Sequence, residues 1–194
     1  QAGDELFLNV EQIIPTPEAS DFMIGMMAKE AEEKSASHEQ KHRHTLRLAF
    51  WEQTLEAFGR SDCSLFSNIS PAKDHWLNAG SGISGMGYQL IFGKNEVRVG
   101  LSLQSSRPEA NRFVFDQLKG MKIEIETAFG NELVWLPLPD KIACRIQYEK
   151  PVDGYNKANW PEMIQWLVEH MTRLEQALSG PLEKARQEFQ AYNF

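Results

Sequence analysis

The chain has 194 residues, a formal charge of −7, 42% apolar and 24% charged residues, a profile that fits one globular core with an extension. No apolar run reaches membrane-span length and nothing resembles a signal peptide, so a cytoplasmic setting without a membrane partner is expected. Residues 1–37 hold eight acids against Lys29 and Lys34, a net of −6; the remainder holds 18 basic and 19 acidic residues, a net of −1. The main body is thus near neutral, and a strongly basic nucleic-acid footprint is absent.

Residues 1–37 read as an acidic linker or the tail of a preceding domain, and residues 38–194 as one α+β domain. In the first stretch Leu6, Leu8 and Val10 alternate as in a last strand. Two prolines in PTPEASDF break regular structure, and MIGMMAKEAEEKSAS fits either a short helix or an acidic linker. With a start at Gln1 rather than Met, this reads as a piece of a longer protein.

Ser37, with a glutamate close behind it, is a helix-start signal. Leu48, Trp51, Leu55 and Phe58 then recur at helical spacing, and Gly59 closes the element. After the glycine-rich run Gly80–Gly87 comes YQLIF, a Gly93-Lys94-Asn95 turn, and EVRVGLSLQ. Val97, Val99, Leu101 and Leu103 alternate with Arg98, Gly100, Ser102 and Gln104, which predicts a hairpin with one apolar and one polar face.

Ser106 and Pro108 open the next helix. Val114, Leu118, Met121, Ile125 and Phe129 form its stripe, and Gly130 ends it. ELVWLPL and KIACRIQYE predict a second hairpin around Pro139-Asp140, with Arg145 and Gln147 on the face opposite Cys144 and Ile146. Asn159 is the expected cap of a helix striped by Trp160, Ile164, Leu167, Met171, Leu174 and Leu178. Gly180-Pro181 should break it, leaving a terminal helix. Hairpins imply antiparallel pairing, so the fold class is α+β: one mainly antiparallel sheet covered by helices, with a helical C-terminus.

Gly80, Gly82 and Gly85 match G-x-G-x-x-G, but a dinucleotide fingerprint needs a helix after the loop, and here a strand follows. No kinase signature accompanies it, and Met86 stands where a G-x-S-x-G around Ser84 needs glycine. A structural turn or binding loop is the better reading. His38 and His42 share i, i+4 spacing, yet no further ligand accompanies them, so with His44 they read as a solvated helix start. Glu124 and Glu126 do not face one another on a helix and read as surface residues. Cys63 and Cys144, set among apolar residues, read as buried free thiols. Trp51 and Trp160 lie on core stripes, whereas Trp76, beside the glycine run, is the tryptophan placed to face a ligand. Arg98 and Arg145 occupy the polar faces of two hairpins. If the hairpins share a sheet they form one polar patch, with pairing to helix carboxylates as the structural alternative.

Phe115 to Glu149 resembles an uncharacterised bacterial and archaeal domain of unknown function that commonly follows a restriction-endonuclease-like (PD-(D/E)XK-type) domain. The resemblance rests on Phe115, Asp116, Leu118, Lys122, Ile125, Glu126, Phe129, Gly130, Leu133, Trp135, Arg145 and Ile146, with RLAFWEQTL and the Trp76/Gly85/Tyr88 loop upstream, over about residues 40–180. It implies a nuclease-like neighbour and carries no catalytic residue. The nuclease motif itself, an Asp with Glu-x-Lys on a hairpin, is only poorly imitated by Glu96-Val97-Arg98.

The expected function is a non-catalytic accessory domain of a nuclease-like protein of the restriction or defence kind, contacting DNA or the preceding domain. The expected binding set is Trp76, Gly80, Ser81, Gly82, Ser84, Gly85, Arg98 and Arg145, with no catalytic residue, metal or cofactor. The competing readings are a degenerate or unrecognised hydrolase with a site near Gly80–Gly87, and a homo-oligomer in which the C-terminal helices serve as a dimerisation module.

Overall fold

The computed structural model describes residues 17–138 and 142–191; the Leu6–Val10 alternation and the Pro139-Asp140 turn lie outside them. The chain forms two compact units, residues 1–42 and 43–194. In the first, the described backbone is helical from Pro17, and Met26, Met27, Lys29 and residues 37–42 are exposed. The second holds the sheet and the remaining elements.

Helix α1 runs Pro17–Gly59, 43 residues, so Ser37 does not start it. Pro17 at the first turn costs little, because that position has no intrahelical donor to lose. The run after it is dominated by Ala, Glu, Lys and Met, which favour helix strongly enough to carry it through the expected break. His38, His42 and His44 therefore sit within α1 rather than at its start, His38 and His42 exposed.

Five strands follow the order β1-β2-β3-β5-β4, every neighbouring pair antiparallel: β1 (Trp76–Gly80), β2 (Met86–Phe92), β3 (Glu96–Leu103), β4 (Val134–Leu136) and β5 (Cys144–Pro151). Both expected hairpins are present, and the fold is α+β.

The stripe expected for one helix belongs to two, α2 (Pro108–Gly120) and α3 (Lys122–Phe129). Gly120 gives little helical support, and Met121, at φ −101° and ψ 17°, leaves helical geometry. Ile125 and Phe129 still reach the core. Conversely, α4 (Trp160–Ala191) passes through Pro181 without ending. Pro181 lacks one backbone donor, but the buried residues Leu174, Leu178, Leu182 and Ala185 continue across it, and packing of that face outweighs the missing bond. The expected cap also moves: Asn156, not Asn159, accepts the Ala158 N–H at 3.1 Å, starting a 3-10 turn (Lys157–Asn159) before α4. Asn159 instead donates to the Asp153 carbonyl.

Val97, Val99, Leu101 and Leu103 are fully buried on one face of β3. On that face Phe50 of α1 stacks on Phe92 at 3.9 Å, Trp160 of α4 meets Phe92 edge-on, Phe115 of α2 meets Trp135, and Phe129 of α3 meets Tyr148. Aromatic pairs of this kind add to the burial energy of the core. Trp51 and Trp160 lie in this core as expected, and Cys63 and Cys144 are buried free thiols. The opposite, outer face of the sheet carries the candidate site.

Candidate nucleic-acid interface

Alternation along a strand sends successive side chains to opposite faces, and the register of this sheet lines up the outward ones in three rows. The first is Trp76, Ile91, Arg98, Glu149 across β1, β2, β3 and β5. The second is Asn78, Gln89, Gly100, Gln147 and, on β4, Val134. The third is Gly80, Gly87, Ser102, Arg145, Leu136.

Glycines at Gly80, Gly87 and Gly100 leave the floor of this face without side chains. At Gly87 a Cβ would stand 2.7 Å from the Ala79 oxygen, and at Gly100 2.8 Å from the Ile146 oxygen, so close strand approach requires glycine there. The result is a depression of about 730 Å³ lined by His75, Trp76, Asn78, Gly80, Gly85, Gln89, Arg98, Ser102, Gln104 and Arg145, among others.

The two arginines differ in how they are held. Arg98 donates from Nη1 to Gln147 Oε1 at 3.1 Å, and its Nη2 lies 3.8 Å from Glu96 Oε1. Gln147 in turn donates to Glu149 Oε2 at 3.0 Å. Arg145 has no hydrogen bond or ion pair among the described residues, and its Nε is buried without a partner. Burial first, then the positive charge of Arg98, lowers the Arg145 pKa from its ordinary value, with Glu96 opposing. Among the described residues neither arginine pairs with a helix carboxylate. His75 is lowered too, by partial desolvation and then by Arg47, so the neutral imidazole is favoured.

Polar side chains in the depression keep free valences. Gln89 Nε2 donates to Asn78 Oδ1 at 3.0 Å. Each amide carries both a donor group and an acceptor, so the Asn78 amide nitrogen and the Gln89 carbonyl oxygen remain unpaired among the described residues. Trp76 is 39% exposed.

Of the expected set, Trp76, Gly80, Gly85, Arg98 and Arg145 meet in this depression. Ser81 and Gly82 instead line, with Gly80, a separate hollow of about 390 Å³ shared with Tyr88, Glu175, Ser179 and the Glu183–Arg186 ion pair. Ser84 is exposed and lines neither. His75, Asn78, Gln89 and Ile91 were not in the expected set. The same two-residue alternation that singles out Arg98 runs through WLNAG and MGYQLIF and points to Asn78, Gln89 and Ile91.

The glycine run itself is the turn joining β1 to β2. Ser81 N–H and Oγ both donate to the Met86 carbonyl, at 3.3 and 2.9 Å, and Gln104 N–H donates to the Gly85 carbonyl at 2.8 Å. Gly82 and Gly85 have φ of 83° and 75°, the left-handed region that glycine enters without steric cost. The Ser81 N–H and the Gly85 carbonyl are thus engaged in building a hairpin.

Glu126 corrects the surface reading. Burial would raise its pKa, but donation from Leu133 N–H and Trp135 Nε1 and the charge of Lys122 outweigh it and hold the carboxyl below its usual range. The Cys63 thiol is pushed up to about 11, chiefly by burial. No group of three or more His, Cys, Asp or Glu placed to hold a metal ion occurs among the described residues.

These features define a class: an α+β domain whose five-stranded antiparallel sheet carries helices on one face and a cationic, glycine-floored depression on the other. The chain belongs to the DUF4268 family, a domain of unknown function, whose pattern matches residues 46–182. No curated protein and no solved structure matches the chain.

Proposed function

We propose that this chain is a non-catalytic accessory domain of a nuclease-like protein and holds nucleic acid against the outer face of its sheet. The carrying observation is Arg145, which lines the depression together with Arg98 and has no hydrogen bond or ion pair among the described residues, its Nε buried without a partner. Glu96 lies 3.8 Å from Arg98 and offsets part of its charge, whereas Arg145 is left without such a partner among the described residues, and a phosphate accepts the planar donor fork of arginine well. The nuclease-like neighbour is supported by the resemblance of Phe115–Glu149 to domains that follow such folds.

The test pairs binding with melting. Labelled DNA, duplex and single-stranded, is titrated at two salt concentrations against wild type and Arg145→Ala, and the same variant is melted. The expected result is salt-sensitive binding by wild type, because phosphate neutralisation releases counterions, with loss of binding and an intact melt in the variant. Absence of binding to either DNA form by wild type at low salt would overturn this function. So would unchanged binding by the variant.

A further inference from the structure

We infer that the ligand of this face is a single nucleic-acid strand, one base of which stacks on Trp76 while its backbone runs toward Arg98 and Arg145. This rests on the nucleic-acid reading above and narrows it to strandedness and to the parts of the site that read each group.

Three observations carry it. First, the exposed ring of Trp76 opens the row Trp76–Ile91–Arg98. Adjacent strands lie about 4.8 Å apart, so the Trp76 and Arg98 backbones are about 10 Å apart, a span that a nucleotide and an extended arginine side chain fill together. A base inside a duplex is stacked on both sides and cannot offer its face to a protein ring without being extruded, whereas single strands are bound by such aromatic platforms combined with cationic grooves.

Second, the Asn78 amide nitrogen and Gln89 carbonyl oxygen, unpaired among the described residues, lie in the row beside Trp76. They present a donor and an acceptor that can meet a base edge, and in an unpaired strand the Watson–Crick edge is open to them as well.

Third, the positive charge is concentrated and small. Tight duplex binding uses many phosphate contacts, but the chain carries −7, and its cationic surface here is two guanidiniums at a recess of about 730 Å³. Two neutralised phosphates on a single strand give a slope of log K against log salt of roughly −1.4.

The experiment measures fluorescence anisotropy of labelled oligodeoxythymidine, and of a duplex of equal length, against the whole 194-residue chain. Wild type, Trp76→Leu, Trp76→Phe and Asn78→Ala are compared, with melting of each variant as the folding control. Expected are preference for the single strand, a salt slope near that of two contacts, and weakening of about ten-fold or more in Trp76→Leu, from the usual contribution of a stacked base, with Trp76→Phe recovering most of it. Equal or tighter binding of the duplex with Trp76→Leu unaffected overturns the single-strand inference and leaves nucleic-acid binding standing. Binding of neither probe removes both. A melted Trp76→Leu shifts the decision to Trp76→Phe and Asn78→Ala, and binding by both at wild-type strength together with a duplex preference overturns the inference.

Discussion

The Trp135 indole Nε1–H donates to Glu126 Oε1 at 3.0 Å, joining β4 to α3. The same oxygen accepts the Leu133 N–H at 2.8 Å, so one carboxylate fixes the path of the chain from Gly130 into the sheet. These residues belong to the stretch that carries the family resemblance. Their role in it is structural: they place β4 against β5, with Trp135 opposite Ile146.

Glu126→Ala should lower stability by about 2–3 kcal/mol, since it leaves two donors without their charged acceptor. For a chain of this size that is a fall in melting temperature of roughly 5–10 °C. Glu126→Gln, which keeps an oxygen in place, should recover part of the loss. A melt of Glu126→Ala indistinguishable from wild type would show the contact to be worth nothing net.

Asn111 is fully buried at 0% exposure. It accepts from Ser105 N–H and Oγ at 2.9 and 2.7 Å and donates to the Ser105 and Ile142 carbonyls at 3.0 and 2.9 Å. Asn111→Leu should cost about 2–4 kcal/mol by orphaning several of these groups at once. Denaturant titration measures it, with a lower midpoint at unchanged slope as the expected form.

The glycine run contains positions of opposite kind. At Gly85 a Cβ would lie 2.5 Å from Ser105 Cα, on a backbone with φ of 75°, whereas at Gly80 it would meet nothing within 4 Å. Gly85→Ala should therefore destabilise by about 2–4 kcal/mol through left-handed strain and overpacking. Gly80→Ala should change stability by less than about 1 kcal/mol while placing a methyl group on the outer face. Comparable melting of the two variants would contradict this account of the turn.

His170 packs against both Trp166, at 4.4 Å between ring centroids, and Tyr148, at 5.2 Å, with Nδ1 2.8 Å from the Trp166 carbonyl. Desolvation lowers its pKa from 6.5; the Trp166 carbonyl and Glu169 oppose this, and Arg173 and Lys150 reinforce it. A lowered folded-state pKa means that below pH 6.5 the unfolded chain binds the proton more readily. Stability is thus present above that value and lost as pH falls toward the folded-state pKa. His75 is shifted in the same direction. Chemical denaturation at about pH 7 and about pH 5 should show this loss, and His170→Phe should reduce it; an unchanged pH dependence in the variant would assign the effect elsewhere.

Periodicity made most elements legible. The stripe Trp160, Ile164, Leu167, Met171, Leu174, Leu178 is buried throughout, and alternation in EVRVGLSL places Arg98 on the face opposite Val97 and Val99. Breaks were less legible, because a proline or glycine sets only a local cost. Packing overrode that cost at Pro181, while at Gly120-Met121 the helix did divide. The signal at Ser37 failed because the residues before it favour helix as well as those after it.

What the chain determined locally was therefore the set of strands and the face on which each side chain stands, since a two-residue repeat is written into the backbone of any strand. Which strands became neighbours was decided only by the tertiary fold. β5 inserts between β3 and β4 and aligns Arg145 with Ser102, a pairing between segments more than forty residues apart. That pairing brings Arg145 into the field of Arg98, and the β1–β2 register sets Trp76 in the row of Arg98. Register depends on how a whole buried face fits the helices behind it, and that fit is a property of the assembled core.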